Sequence, residues 1–260
     1  GRLRQTGTAR IGAAVHSVRA VPAGDIGAVA AWAAERAAPL HVHLSEQPAE
    51  NEACAAFYGC TPAALLDEHG ALGAGSTAVH ATHLTSGDVA LLGGTGTTIC
   101  MCPTTEQDLA DGIGPAGALA GAGAPLALGS DSHAVIDLLG EARALELHQR
   151  LASGVRGHWP AAELLRAATA GGHACLGWPD AGRIEAGALA DFVTVGLDSV
   201  RTAGGDAGTA LETAVFAATA ADVRDVVVGG RRIVEQGVHA SIADVPAALR
   251  SAISPLFAPR

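Results

Sequence analysis

The sequence is poor in positive charge and has no cluster of basic residues. Its 260 residues include 16 Lys plus Arg against 26 Asp plus Glu, which gives a formal net charge of −10. Nucleic acids and anionic membrane surfaces attract basic patches, so we expect neither as a partner. The expected ligand is a small molecule.

Long hydrophobic runs and paired cysteines are also lacking. The longest uncharged stretch, residues 112–130, contains six Gly and two Pro, and few bulky apolar side chains, which argues against a transmembrane helix. No secretory signal pattern opens the sequence. The five Cys form no Cys-x-x-Cys pair. We therefore expect reduced thiols and a cytoplasmic location.

Strand-like and helix-like segments alternate through the first two thirds of the chain, which is typical of a parallel sheet in an α/β fold. After residue 178 the pattern changes. Residues 182–195 suggest a glycine turn that leads into a strand, and residues 223–234, with Gly229-Gly230 at the centre, suggest a β-hairpin. We predict an α/β domain over residues 1–178 and a small β-rich domain with a C-terminal helix over residues 179–260.

Polar side chains end three of the predicted strands. His43 and Glu46 follow one short apolar run, His80 a second, and Asp131 a third. Catalytic groups of a (β/α)₈ barrel lie at the C-terminal strand ends, so these side chains should share one barrel mouth. His43 suits a zinc ligand and Glu46 a proton shuttle. Asp131 suits a metal-bound carboxylate that accepts the proton of an attacking water, and His80 a hydrogen-bond donor to the reacting group.

Each residue also has an ordinary structural interpretation. Glu46 alone would be a solvated carboxylate, His80 a buried and satisfied histidine, and Asp131 a turn or helix-cap residue. Their order along the chain and their shared strand-end position favour a functional site.

That order, His-x-x-Glu, then His, then Ser-Asp, resembles the amidohydrolase superfamily and in particular its mononuclear deaminases. The stretch at residues 182–191 resembles the start of that superfamily's C-terminal β-sandwich. Within the superfamily, the formimidoylglutamate deiminases are similar in four strings: residues 16–21, 41–47, 79–83 and 105–115. The resemblance implies the C-terminal half of a metal-dependent-hydrolase (β/α)₈ TIM barrel, followed by a small β-sandwich module.

The resemblance also implies an activity. It is the zinc-dependent hydrolysis of N-formimidoyl-L-glutamate to N-formyl-L-glutamate and ammonia, a step of histidine degradation. It assigns roles to six residues: His43 and Asp131 as ligands of one Zn²⁺ per site, Glu46, His80 and Asp131 as catalytic groups, and His16 and Arg19 as substrate-binding groups. The guanidinium of Arg19 suits a substrate carboxylate, which it can bind in a bidentate manner.

The chain also departs from the pattern of the superfamily. A (β/α)₈ barrel takes about 250 residues, whereas only 130 residues precede Asp131. Members take two further zinc ligands from a His-x-His after the first strand, but the His-x-His here, His41-Val-His43, belongs to the strand of Glu46. We therefore expect a truncated chain without the front half of the barrel. It would form a homodimer or depend on that N-terminal half. The sequence does not decide whether this chain is active by itself.

Two alternatives remain at this point. One is another deaminase of the same superfamily with a purine-type substrate, which aromatic stacking would favour, although the chain has only four Phe, one Tyr and three Trp. The other is a non-catalytic remnant that serves as a binding or assembly module. Such a remnant should hold no stoichiometric zinc.

Overall fold

Five parallel strands build the sheet of the first part of the chain in the computed structural model, which describes residues 6–257. They are β1 (Ala13–Val15), β2 (Leu40–Leu44), β3 (Ser76–His80), β4 (Thr98–Met101) and β5 (Leu126–Leu128). Each strand pairs in parallel with the next one along the chain. The predicted parallel α/β sheet is confirmed.

Helices make the crossovers that parallel neighbours require. They are α1 (Ala23–Glu35), α2 (Pro48–Tyr58), α3 (Pro62–Glu68), α4 (Ser86–Thr95), α5 (Pro103–Asp108) and α6 (Ala116–Gly121), and a further helix, α7 (Leu138–Ser153), follows β5. Proline at the first position starts α2, α3 and α5, where its missing N–H costs nothing. A capping box at Thr85 starts α4, and the Asp137 side chain caps α7. No helix among residues 6–257 has the length and apolarity needed to cross a membrane.

The hydrophobic core lies between the sheet and these helices. Leu40, Val42 and Leu44 of β2 are buried in the same cluster as helix residues such as Ile26 and Leu66. Side chains alternate between the two faces of a strand. The two histidines of β2, at positions 41 and 43, therefore lie half-buried on the face that points away from this core.

The sheet is open at both edges in the described part of the chain, because β1 and β5 each pair with one strand only. A helical segment packs beside β5. It consists of α8 (Ala161–Arg166), a π-helical turn (Ala167–Gly171) and α9 (Gly172–Cys175). A Cβ added at Gly171 would lie 2.5 Å from the carbonyl oxygen of Leu126, so this close approach requires glycine.

A second sheet follows, with four antiparallel strands in the order β6 (Phe192–Val195), β7 (Val223–Val228), β8 (Arg231–Glu235) and β9 (Val238–His239). The predicted hairpin between β7 and β8 is confirmed. Gly229 and Gly230 both have positive φ, 56° and 74°, as a two-residue type I′ turn demands. Residues 179–257 show this one sheet, so the two-sheet sandwich stays a prediction.

Two further helices belong to this region, α10 (Ala210–Phe216) and α11 (Val245–Ile253). Helix α10 packs on α7 and α8, and its Val215 is part of the core cluster of the first sheet. Arg143 of α7 donates hydrogen bonds to the carbonyls of Val215, at 2.9 Å, and Ala218. The domain boundary after residue 178 stays a prediction, and the outer ends of the two ranges, residues 1–5 and 258–260, lie outside the described residues.

Candidate functional site

The side chain of His80 lies at the centre of a cluster formed by three strand ends. It is fully buried at the end of β3. Its Nε2 lies 3.7 Å from Oε1 of Glu46 and 3.8 Å from Oδ2 of Asp131. Its ring stacks on that of His43, with the centroids 5.6 Å apart. The structure thus brings together the four residues that the sequence assigned to one mouth.

The backbone at these strand ends adopts conformations that side chains rarely take. Ser45, His80 and Asp131 have φ values of 48°, 69° and 47°. A left-handed non-glycine residue costs on the order of 1–3 kcal/mol, and such strain gathers at functional sites. The strain here accompanies the turn of each chain segment out of its strand.

His43 is oriented by a neighbouring backbone carbonyl. Its Nδ1 lies 2.7 Å from the carbonyl oxygen of His16, which also accepts the backbone N–H of His43 at 3.0 Å. Nδ1 must therefore carry the proton, and Nε2 keeps its lone pair for a ligand. The ring of His16 packs beside that of His43 at a centroid distance of 5.0 Å, so His16 also borders the cluster.

Arg19 lies in the site, but its guanidinium is paired with two carboxylates. Nη2 lies 2.5 Å from Oε2 of Glu46, and Nε lies 3.4 Å from Oε2 of Glu50. Glu50 is buried and also accepts the backbone N–H of Glu46 at 3.2 Å. The Arg19 side chain is 32% exposed, so a ligand can reach it. Sequence reasoning missed Glu50, although its position four residues after Glu46 at the start of α2 was a usable signal.

The charges of the cluster shift several pKa values. Burial alone would raise the pKa of Glu46, but the bond from Arg19 and the nearby His80 outweigh it and lower that pKa. Burial alone would lower the pKa of His80, but Glu106, Glu46 and Asp131 outweigh it and raise that pKa. Burial raises the pKa of Glu50 against the opposing charge of Arg19. Each shift is the balance between burial and the opposite charges around the group.

Glu106 is the second site residue that sequence reasoning missed. It lies on α5 and is 1% exposed. Its Oε1 accepts the backbone N–H of Cys102 at 2.9 Å and lies 3.4 Å from Nδ1 of His80. The one local signal was Pro103, two residues after the end of β4, which marks a helix start.

The segments after β2, β3 and β4 hold several buried polar atoms without a hydrogen-bond partner. Within residues 6–257 there are six such side-chain atoms: Glu50 Oε1, Asn51 Oδ1, His80 Nε2, Thr82 Oγ1, Glu106 Oε2 and Asp111 Oδ2. Buried polar groups without partners are costly and call for an explanation. Three of these residues, Glu50, His80 and Glu106, belong to the charged network around Arg19 and His80.

Other polar residues near the cluster have structural partners. Nε2 of His41 lies 2.9 Å from the carbonyl oxygen of Cys175, away from the strand end. Nε2 of His83 lies 2.7 Å from the carbonyl oxygen of Asp111. The ring of His133 bonds within its own loop.

The residues fit zinc in their chemistry but not in their number. His43 offers an imidazole nitrogen and Asp131 a carboxylate, both zinc ligands. Among residues 6–257, however, no three His, Cys, Asp or Glu side chains are grouped so that they could hold a metal ion. A catalytic zinc site takes three protein ligands, so a zinc ion here would need at least one ligand besides His43 and Asp131.

A parallel α/β sheet with histidine and carboxylate side chains at its carboxyl edge is an arrangement that hydrolases use. The model of the Amidohydrolase family matches residues 3–233. The chain therefore belongs to the amidohydrolase family.

Relatives within the family act on different compounds. The chain is 35% identical over 237 residues to the formimidoylglutamate deiminase of Pseudomonas aeruginosa, an alignment that covers 88% of this chain and 52% of the relative. It is 34% identical to the 5-methylthioadenosine/S-adenosylhomocysteine deaminase of Pelotomaculum thermopropionicum, covering 85% and 51%. An adenosine deaminase from Xanthomonas campestris, solved with bound zinc, superimposes with a TM-score of 0.86 at 31% identity, covering 93% and 55%. The chain spans about half the length of the curated relatives it matches.

Proposed function

We propose that this chain carries the C-terminal part of a zinc-dependent deiminase, which hydrolyses N-formimidoyl-L-glutamate to N-formyl-L-glutamate and ammonia in histidine degradation. The observation that carries the proposal is the guanidinium of Arg19 beside Glu46. It places a fixed cation next to the carboxylate that would move protons, at 2.5 Å. A substrate with a carboxylate near its reacting amidine matches this pair, because its carboxylate can bind Arg19 while its amidine lies beside Glu46.

Each residue of the cluster has a part in the proposed reaction. Arg19 and His16 would bind the substrate carboxylate, and the substrate would compete with Glu46 for the guanidinium. Asp131 would accept the proton of the attacking water. His80 would hydrogen-bond to the reacting group. The two protons of the water would end on the departing amidine nitrogen, one delivered by Glu46 and one returned by Asp131 as the C–N bond breaks, so that ammonia leaves.

Zinc, one ion per site, would be held by His43 and Asp131 together with ligands from outside residues 6–257. When bound, zinc lowers the pKa of water toward about 7 and polarises the reacting group. The carbonyl of His16 would keep Nε2 of His43 ready as a ligand, as partners of metal-binding histidines generally do.

The architecture we propose is one half of a (β/α)₈ TIM barrel followed by a β-sandwich module. The successive order of five parallel strands, without a reversal, supports a barrel over a doubly wound sheet. The open edges at β1 and β5 would pair with the strands of an N-terminal half or of a second copy in a homodimer. The five free cysteines support a cytoplasmic location.

The decisive experiment measures zinc per chain and ammonia release from N-formimidoyl-L-glutamate in one purified sample. We expect H43Q and D131N to lower zinc content and activity together. H41Q is the matched control, because His41 lies on the same strand face but bonds to Cys175. Zinc and ammonia release that survive both D131N and H43Q would contradict the proposal.

A purine-type substrate is the second candidate, favoured by the 34% identity to the 5-methylthioadenosine/S-adenosylhomocysteine deaminase. The same sample should be assayed with 5-methylthioadenosine and adenosine. R19M separates the two candidates by its effect on KM. Because Arg19 also pairs with Glu46, its loss should lower kcat for either substrate, but only a carboxylate substrate should also show a large rise in KM. A chain with neither zinc nor any of these activities would be the non-catalytic module.

A further inference from the structure

Glu106 contacts the buried histidine at the centre of the site, at the ring nitrogen opposite the one that lies near Glu46 and Asp131. Its Oε1 holds the backbone N–H of Cys102 at 2.9 Å, at the start of α5, and faces Nδ1 of His80 at 3.4 Å. The carboxylate is therefore anchored to the backbone at the same oxygen that approaches the imidazole ring.

The two ring nitrogens of His80 have different surroundings. Nδ1 faces Glu106. Nε2 has no hydrogen-bond partner and points between Glu46 and Asp131, at 3.7 and 3.8 Å. A neutral imidazole has one N–H and one lone pair. A lone pair at Nδ1 would face the lone pairs of Glu106, so the N–H belongs on Nδ1.

We propose that Glu106 is a positioning residue that fixes His80 as the Nδ1–H tautomer and holds the plane of its ring. Nε2 of the neutral ring then presents its lone pair to the group between Glu46 and Asp131, and it carries an N–H only when the ring is protonated. Carboxylates beside functional histidines commonly set the tautomer in this way. The catalytic consequence of this inference rests on the proposed function, whereas the tautomer does not.

The test is long-range ¹H–¹⁵N NMR of the full chain, freed of metal with a chelator and recorded at a pH where imidazoles are neutral. The H80N variant assigns the His80 signals by their loss. We expect Nδ1 of His80 to be protonated in the parent chain and in E106Q, whose amide oxygen can still accept its hydrogen. In E106L, which has no acceptor, the proton should move to Nε2.

The matched control is E141L. Glu141 is also buried and binds the start of α5, through the backbone N–H of Thr104 at 3.0 Å and the Thr104 hydroxyl, but it has no bond to His80. E141L should leave the His80 signals in the parent pattern. The proposal would be overturned if the His80 proton moved in E141L as it does in E106L. That result would mean that any lost buried carboxylate at the start of α5 has the same effect.

A parent chain whose His80 carries its proton on Nε2 would also overturn it, and this result needs no variant to fold. Neither zinc nor substrate enters the measurement, so failure of the deiminase assay leaves it unaffected. If ammonia release is found, E106L should lower kcat about 10–100-fold with little change in KM, as expected for a lost partner behind a functional histidine.

Discussion

At the scale of single residues, buried carboxylates organise much of this molecule, and each has its own set of donors. Glu50 and Glu106 serve the candidate site. Glu146 serves the fold, because it accepts the N–H groups of Gly157, His158 and Trp159 at 3.0–3.2 Å and the guanidinium of Arg150 at 2.6 Å. It fixes the loop between α7 and α8.

The contribution of Glu146 to stability should depend on pH. Burial alone would raise its pKa, but the bond from Arg150 and the three backbone N–H groups outweigh it and lower the pKa. A lowered pKa in the folded state means stabilisation that is complete above the ordinary value of 4.5 and lost as the pH falls through the folded value. We expect E146Q to reduce the free energy of unfolding by about 1–3 kcal/mol at pH 7.

Urea unfolding at several pH values checks this prediction. The difference between parent and E146Q should shrink as the pH falls below 4.5. E163Q is the control, since Glu163 is an exposed carboxyl on α8 and its loss should change stability by less than about 0.5 kcal/mol. A difference that stays constant with pH would show that the charge of Glu146 plays no part.

The membership of the site was partly predictable from the sequence, but the hydrogen-bond partners of its residues were not. His43, Glu46, His80 and Asp131 could be grouped because strand ends of a parallel sheet meet at one edge. The pairing of Arg19 with Glu46 joins residues 27 positions apart through side-chain conformation, which no spacing rule contains. Glu106 was hidden because its surroundings, Thr104-Thr-Glu-Gln-Asp108, have the composition of a solvated loop.

At the scale of elements, glycine decides how closely two helices approach. A Cβ at Gly93 of α4 would lie 2.3 Å from the carbonyl oxygen of Ala122, just after α6. The adjacent Gly94, in the same helix, has nothing within 4 Å of the corresponding position. The two neighbours therefore form a matched pair.

We expect opposite effects from alanine at these two positions. G93A should force α4 and α6 apart and lower the free energy of unfolding by about 1–3 kcal/mol. G94A should raise it by about 0.5–1 kcal/mol, because alanine reduces the freedom of the unfolded chain. Thermal and urea unfolding measure the change in the free energy of unfolding for both variants. Equal changes in G93A and G94A would contradict the close approach of Gly93 to Ala122.

The same scale shows what the sequence could not reveal about elements. The strands follow an alternation of apolar and polar residues and the long helices a helical apolar repeat, so both were predictable. The short helix α5 has six residues and no repeating apolar pattern, so its existence depends on tertiary packing. The position of α10 against the first sheet was equally hidden, because nothing local distinguishes it from a helix of the second module.

At the scale of the whole molecule, α10, which lies between β6 and β7 in the sequence, is tied to α7 of the first part of the chain. The guanidinium of Arg143 on α7 binds the carbonyls of Val215 and Ala218 at the end of α10. We expect R143M, which keeps the apolar stem, to cost about 1.5–3 kcal/mol of stability, since these are hydrogen bonds from a charged donor.

Hydrogen exchange locates the effect of R143M. The amides of residues 210–218 should exchange faster in this variant, whereas R156M, which changes an exposed loop arginine, should leave them unchanged. Uniformly faster exchange over the whole chain, with no preference for residues 210–218, would argue against a local tie at α10.

The left-handed residues at the strand ends set a limit for anyone who seeks a more heat-resistant variant. Glycine at Ser45, His80 or Asp131 would relieve the backbone at each position. The same exchange would remove, at His80 and Asp131, side chains that form the cluster. Stabilising changes should therefore be sought at left-handed residues outside the cluster, such as Ala37 and Gln236, where glycine relieves the backbone without loss of a site side chain.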